Sequence, residues 1–152
     1  MARKRKSKRP SWDKYFLQIA ELVATRATCP RLHVGAVLVK DRKIISTGYN
    51  GAPRKTDQCD EVGCYLVNNH CARALHAEEN AVIAAAYHGV STNDATLYVR
   101  YFPCDRCAKV IINAGVNRVV YEQDYKNSDQ SFTREMFKQA GVKLERIADE
   151  GK

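Results

Sequence analysis

Apolar positions fall into short blocks whose spacing changes along the chain. Tyr15, Phe16, Ile19, Leu22 and Val23 recur at helical intervals after Ser11, which reads as an N-cap. Cys29-Pro30 should close this first helix, because a residue before proline avoids the α region. Gly35–Val39 is an apolar run separated by polar Lys40-Asp41-Arg42-Lys43 from Ile44–Thr47, the pattern of a β-hairpin. From Asn50 to Cys71 periodicity is lost and Gly, Asn, Asp and Cys accumulate; so long an irregular stretch commonly serves function. Beginning at His76, the small residues Ala77, Ala81, Val82, Ala84, Ala85 and Ala86 predict a closely packed helix that ends near Gly89. Ala95–Val99 reads as a strand, Cys104–Ala114 as a helix closed by Gly115, and Arg118–Tyr121 as a buried strand. Ser131–Ala140, capped by Gly141, and Val142–Leu144 give a last helix and strand.

The order α-β-β-α-β-α-β-α-β predicts an α/β fold, with a layered sheet of about five strands and an antiparallel opening hairpin. Residues 11–152 show no domain boundary, and 152 residues suffice for one domain with a real core. No apolar run reaches the roughly 18 residues of a membrane span, and no apolar segment follows the basic start.

Charge changes this picture only at one end. The chain carries a net +8, but six basic residues lie within residues 1–10, so +8 less 6 leaves +2 for residues 11–152. We expect 1–10 to be a solvated, disordered leader; a nuclear address or weak nucleic-acid binding are the functional alternatives. Six cysteines without a secretory leader point to a reducing, cytoplasmic setting, where thiols serve metals or catalysis rather than disulfides.

The cysteine positions make this concrete. Cys104 and Cys107 sit one turn apart at the start of a predicted helix, where the dipole favours thiolate. His76, at the start of another helix, adds a third ligand. Three protein ligands leave the fourth tetrahedral position of a zinc ion open for water, whose pKa the metal lowers to about 7. Glu78 lies two residues from His76, placed to carry protons without ligating. His-x-Glu followed by Pro-Cys-x-x-Cys is the signature of zinc nucleobase deaminases. A closed structural zinc knot is the alternative for Cys-x-x-Cys alone.

Beyond these motifs, the chain resembles the deoxycytidylate (dCMP) deaminase family. The resemblance covers most of residues 11–145, through Ser11–Phe16, Val34–Val37, Gly48-Tyr49-Asn50-Gly51-Ala52-Pro53, His76–Ala81, Phe102–Lys109 and Ile111–Val116. It implies a three-layer α-β-α cytidine deaminase-like fold and zinc-dependent hydrolysis of dCMP to dUMP and ammonia, feeding thymidylate synthesis. It also implies attack of a zinc-activated water at C4, with Glu78 protonating N3 and then the departing amine. By position, the Ala77 N–H should hold the base O2, the Phe102 carbonyl should receive the exocyclic amine, and Asn50 should recognise the deoxyribose. Gly51 falls in a region linked with nucleotide regulation, and dCTP and dTTP effectors acting on a homohexamer are family expectations. Arg26 is a candidate for the 5′-phosphate, with a solvated helix face as its alternative. Tyr125 could border the nucleotide or serve packing. Arg100-Tyr101 departs from the Thr-His common before this Cys motif in bacterial relatives, which affects pocket detail.

Cys29, Cys59, Cys64, His70 and Cys71 remain around the irregular segment. Four of them with no open position would make a structural zinc site, as some members of the family carry. The preferred set is Cys29, Cys59, Cys64 and His70, with Cys71 as the alternate or a small buried residue. The rival readings are a deaminase of another nucleotide or of a tRNA base, and a deaminase-fold nucleic-acid-binding protein of the competence type.

Overall fold

Side-chain alternation along five strands divides the molecule into layers. The computed structural model describes residues 7–125 and 128–148. Of the leader expected over 1–10, residues 1–6 lie outside the described residues and 7–10 are exposed. The elements are α1 (Trp12–Ala24), β1 (Gly35–Lys40), β2 (Lys43–Tyr49), α2 (Cys59–Val62), β3 (Leu66–Val67), β4 (His70–Cys71), α3 (Ala77–Tyr87), β5 (Thr96–Tyr101), α4 (Asp105–Asn113), β6 (Arg118–Gln123), α5 (Ser131–Gln139) and β7 (Lys143–Arg146).

The main sheet has the order β2-β1-β5-β6-β7. β1 runs antiparallel to both β2 and β5, whereas β5, β6 and β7 are mutually parallel, so the sheet is mixed as expected. Val37, Val39, Tyr98 and Val120 face one side and pack on Phe16, Leu17 and Ala20 of α1. Ala36, Leu38, Leu97, Val99, Val119 and Tyr121 belong to the opposite core, with Ala77 and Ala81 of α3, Ala108 and Ile111 of α4, and Phe137 of α5. The result is three layers, α-β-α. No helix among the described residues is long and apolar enough to cross a membrane.

Two glycines set the layer spacing. A Cβ on Gly35 would stand 2.1 Å from the Ala20 carbonyl oxygen, and one on Gly48 would stand 2.3 Å from the Ala81 nitrogen. Their absence lets α1 lie on β1, and α3 on β2, at backbone contact. The alanines of α3 serve the same approach from the helix side, with Ala77, Ala81 and Ala85 all buried.

Two expectations needed revision. The first helix ends at Ala24, five residues before Cys29, because Thr25 caps it and its Oγ1 donates to the Leu22 carbonyl at 2.6 Å. The segment read as irregular also contains order: α2 and the β3–β4 hairpin. A four-residue helix and two-residue strands are too short for any periodicity to register.

Candidate active site

His76 and Cys104 are the N-cap residues of α3 and α4, and Cys107 lies in the first turn of α4. Both helix starts meet beyond the carboxyl end of β5, the usual location of ligand sites in open α/β sheets. The His76 Nδ1 is 3.5 Å from the Cys104 Sγ and 3.3 Å from the Cys107 Sγ. The three ligand atoms lie within 4.8 Å of one another. A tetrahedral zinc with ordinary bond lengths requires S···N edges of about 3.6 Å and S···S edges of about 3.8 Å. The donor set therefore fits zinc in spacing and in kind.

The protons in this cluster are unevenly shared. Cys104 is pulled down to about 4, first by its hydrogen bond with the Cys107 thiol and then by His76, against burial. His76 is pushed up to about 9, chiefly by that thiolate. Cys107, buried and beside Cys104, is raised. The Cys104 Sγ also accepts from the Cys107 N–H at 3.5 Å. Glu78 is buried in the first turn of α3, and desolvation raises its pKa.

The remaining residues fall at different distances from this centre. Ala77, fully buried, is the first residue of α3, where backbone N–H groups have no intrahelical acceptor. Phe102 leads from β5 into Pro103; its N–H donates to the Gln123 carbonyl at 2.8 Å, and Arg134 lies 4.4 Å over its ring. Tyr125 stands with its ring 5.3 Å from that of Tyr101. Burial raises the Tyr125 pKa, and the charges of Tyr101, Glu78 and Cys104 add to this. Arg26 is exposed in the turn after α1. Gly51 is bridged to Leu75, with N···O distances of 3.2 and 2.9 Å, which fastens the Gly-Tyr-Asn-Gly segment beside the residue before His76.

Asn50 makes two hydrogen bonds to the backbone of a neighbouring segment. Its Oδ1 accepts from the Val34 N–H at 2.8 Å and its Nδ2 donates to the Leu32 carbonyl at 2.6 Å. Both ends of the buried amide hold the 32–34 backbone. Three residues were missed in the sequence. Gln58 takes hydrogen bonds from Thr28 Oγ1 at 2.9 Å and the Ala52 N–H at 3.0 Å, pinning the loop after Gly51. Asn80 Nδ2 donates to the Tyr49 carbonyl at 2.8 Å. Glu79 Oε2 accepts from the His76 N–H at 2.9 Å, and the spacing of a capping box, His76-x-x-Glu79, was a signal available to find it.

A second group joins Cys59 of α2, Cys64 and Cys71 of β4, with the Cys59 and Cys71 sulfurs 3.6 Å apart. That is far beyond a disulfide bond of about 2.05 Å and close to the edge of a zinc-thiolate tetrahedron. The structure brings in Cys71 rather than His70, which is exposed. Neighbours along a strand point to opposite faces, so β4 cannot aim both at one ion. Cys29 is buried but does not belong to that three-cysteine group. Burial raises Cys71, but the backbone hydrogen bonds of Ala74 and Arg73 outweigh it and bring the thiol to about 7.

One histidine and two cysteines at two helix starts, with a buried carboxyl beside them, form a donor set that suits metal-assisted hydrolysis. Residues 10–123 match the model of the cytidine and deoxycytidylate deaminase zinc-binding region. The chain is 44% identical over 139 residues to ComE operon protein 2 of Bacillus subtilis, spanning 91% of this chain and 72% of that protein. It is 40% identical to deoxycytidylate deaminase of Saccharomyces cerevisiae over 92% of this chain, and covers only 46% of the yeast protein. The crystal structure of dCMP deaminase from the cyanophage S-TIM5, in complex with dCMP and dUMP, superposes with a TM-score of 0.79 at 30% identity, covering 93% of this chain and 100% of that one. The chain belongs to the cytidine and deoxycytidylate deaminase family.

Proposed function

We propose that this protein is a zinc-dependent deaminase that hydrolyses dCMP to dUMP and ammonia, supplying the precursor of thymidylate. The observation that carries the reading is the His76–Cys104–Cys107 cluster beside buried Glu78, in a chain that covers all of the cyanophage dCMP deaminase. His76, Cys104 and Cys107 would hold the zinc, which when bound supplies Lewis-acid activation of a water at neutral pH.

The chain's own residues do the rest. Glu78 takes one proton from the attacking water and delivers it to N3 of the base. It then takes the second from the hydroxyl formed at C4 and delivers it to the amine, so that the C–N bond breaks, ammonia leaves and dUMP keeps the N3 proton. Its burial excludes competing water from that carboxyl. The Ala77 N–H, at the positive end of α3, donates to the base O2, and the Phe102 carbonyl accepts from the exocyclic amine. Tyr125 borders the base, and Arg26 meets the 5′-phosphate. Asn50 acts at the deoxyribose end through the 32–34 backbone that its amide holds.

A second zinc on Cys59, Cys64 and Cys71, with Cys29 as the fourth ligand, would fasten the loop segment to the end of the first helical arm. The six free cysteines support a cytoplasmic setting. Assembly into a homohexamer and opposing regulation by dCTP and dTTP, in the region of Gly51, rest on the family resemblance.

The test is a substrate panel. Purified protein is incubated with dCMP, dCTP, cytidine and a short RNA while ammonia release is followed. The reading requires dCMP to be turned over most efficiently. Preference for another substrate would overturn it, and RNA binding without ammonia release from any of them would favour a nucleic-acid-binding role.

A further inference from the structure

The ligand cluster is assembled from two separate helix starts, and its geometry depends on how α3 and α4 are held relative to each other. His76 belongs to one start, and Cys104 and Cys107 to the other. Glu79, in the first turn of α3, reaches both. Its Oε2 accepts from the His76 N–H at 2.9 Å, and its Oε1 meets the Arg106 Nε at 2.6 Å. Arg106 lies between Cys104 and Cys107 in the sequence of α4. One carboxylate therefore connects the backbone of the histidine ligand to the turn that carries both thiol ligands.

The burial pattern shows that this contact is more than a helix cap. The Glu79 side chain is only 6% exposed, whereas that of Arg106 is 67% exposed. A neutral glutamine would satisfy the capping hydrogen bond equally well. A buried carboxylate is costly unless it is paired and hydrogen-bonded, and Arg106 supplies that pairing from the neighbouring helix. The charge on Glu79 is thus explained by the link across the helices, not by the cap.

We propose that Glu79 and Arg106 form a clamp that fixes the spacing between His76 and the two cysteine ligands, making both of them positioning residues of the active site. The clamp rests on the reading of His76, Cys104 and Cys107 as zinc ligands. It acts as the outer partners of metal ligands do: by holding the ligands in one geometry, it slows loss of the ion.

The experiment measures zinc transfer from the purified holoprotein to a chelating dye, well below the melting temperature. Wild type is compared with Arg106→Ala, Glu79→Gln, the double variant and Arg106→Lys. Cys104→Ser identifies which phase of release belongs to this site. Each of the first two substitutions should speed that phase on the order of tenfold. The double variant should release no faster than the faster single one, because the two side chains act through each other. Arg106→Lys should restore part of the effect. The cobalt-substituted protein, read as the difference from Cys104→Ser, should show shifted d–d bands in the single variants. Wild-type release rates with an unchanged cobalt spectrum would overturn the clamp, even if melting temperatures fell, and so would multiplying effects in the double variant. Because Arg106 is exposed, Arg106→Ala carries the test alone if Glu79→Gln does not fold. A wild-type protein with no zinc that Cys104→Ser removes would overturn the ligand reading beneath the clamp, a result distinct from either failure above.

Discussion

The His76 Nδ1 lies 3.3 Å from the Cys107 Sγ, although 31 positions separate the two residues. Helix α3 brings the histidine by lying at backbone contact on β2, and β5 delivers the cysteines by running directly into α4. Glu78 follows the histidine by two residues and is buried beside the same cluster. With His76, Cys104 and Cys107 as the proposed metal ligands, Glu78 stands beside their set and outside it, so binding and proton transfer can be tested separately.

Glu78→Gln should therefore retain zinc while lowering kcat by about 10³-fold or more, since a positioned acid–base group contributes on that scale. Zinc per chain and steady-state kinetics on the same preparation check this. Loss of one zinc equivalent would make Glu78 a ligand.

The second cysteine group gives a paired prediction. Cys71→Ser should remove one of two zinc ions per chain and lower the melting temperature by on the order of 10 °C, the shift expected for a loss of ~3 kcal/mol in a domain of this size. His70→Ala should do neither. Metal analysis and thermal melts of both variants decide it, and the reverse pattern would return His70 to the ligand set.

These two sites show what a sequence makes legible. The candidate ligands of the first site are announced by helix starts, because an N-cap, a His-x-Glu and a Cys-x-x-Cys each occupy a fixed position in a turn. The choice of Cys71 over His70 depends on which face of a two-residue strand meets Cys59, and nothing local sets that register. The five main strands and their helices were readable from periodicity, whereas α2 and the β3–β4 hairpin lie below the length at which a period appears. Gln58 and Arg106 act on residues distant in the chain, so their partners become visible only in the fold.

Asn50 offers a test of that difference. If its amide works by holding the 32–34 backbone, Asn50→Ala should lower stability by about 1–3 kcal/mol, the cost of leaving buried polar groups unpaired, and should raise KM as well. Urea unfolding and kinetics on the same variant report both quantities. A raised KM with unchanged stability would mark direct contact with the ligand instead.

At the opposite end of the sheet, Arg118 joins Asp13 of α1 to Glu145 of β7. Its hydrogen bonds hold both carboxyls below their ordinary values. Lowered folded-state pKa values mean stability that is present above the unfolded carboxylate range and lost as pH falls through the folded values. Stability should therefore drop as pH falls below the ordinary carboxylate range, and Arg118→Gln should flatten that slope. Urea midpoints across this range check the change, and an unaltered slope in the variant would contradict it.

The most direct measurement is a time course of dCMP consumption by zinc-loaded protein, with dUMP and ammonia both quantified. The account predicts one dUMP and one ammonia for each dCMP consumed, loss of this turnover on chelation, and its return when zinc is restored. Zinc-loaded, folded protein that leaves dCMP unchanged while the metal occupies the His76, Cys104 and Cys107 site would contradict it.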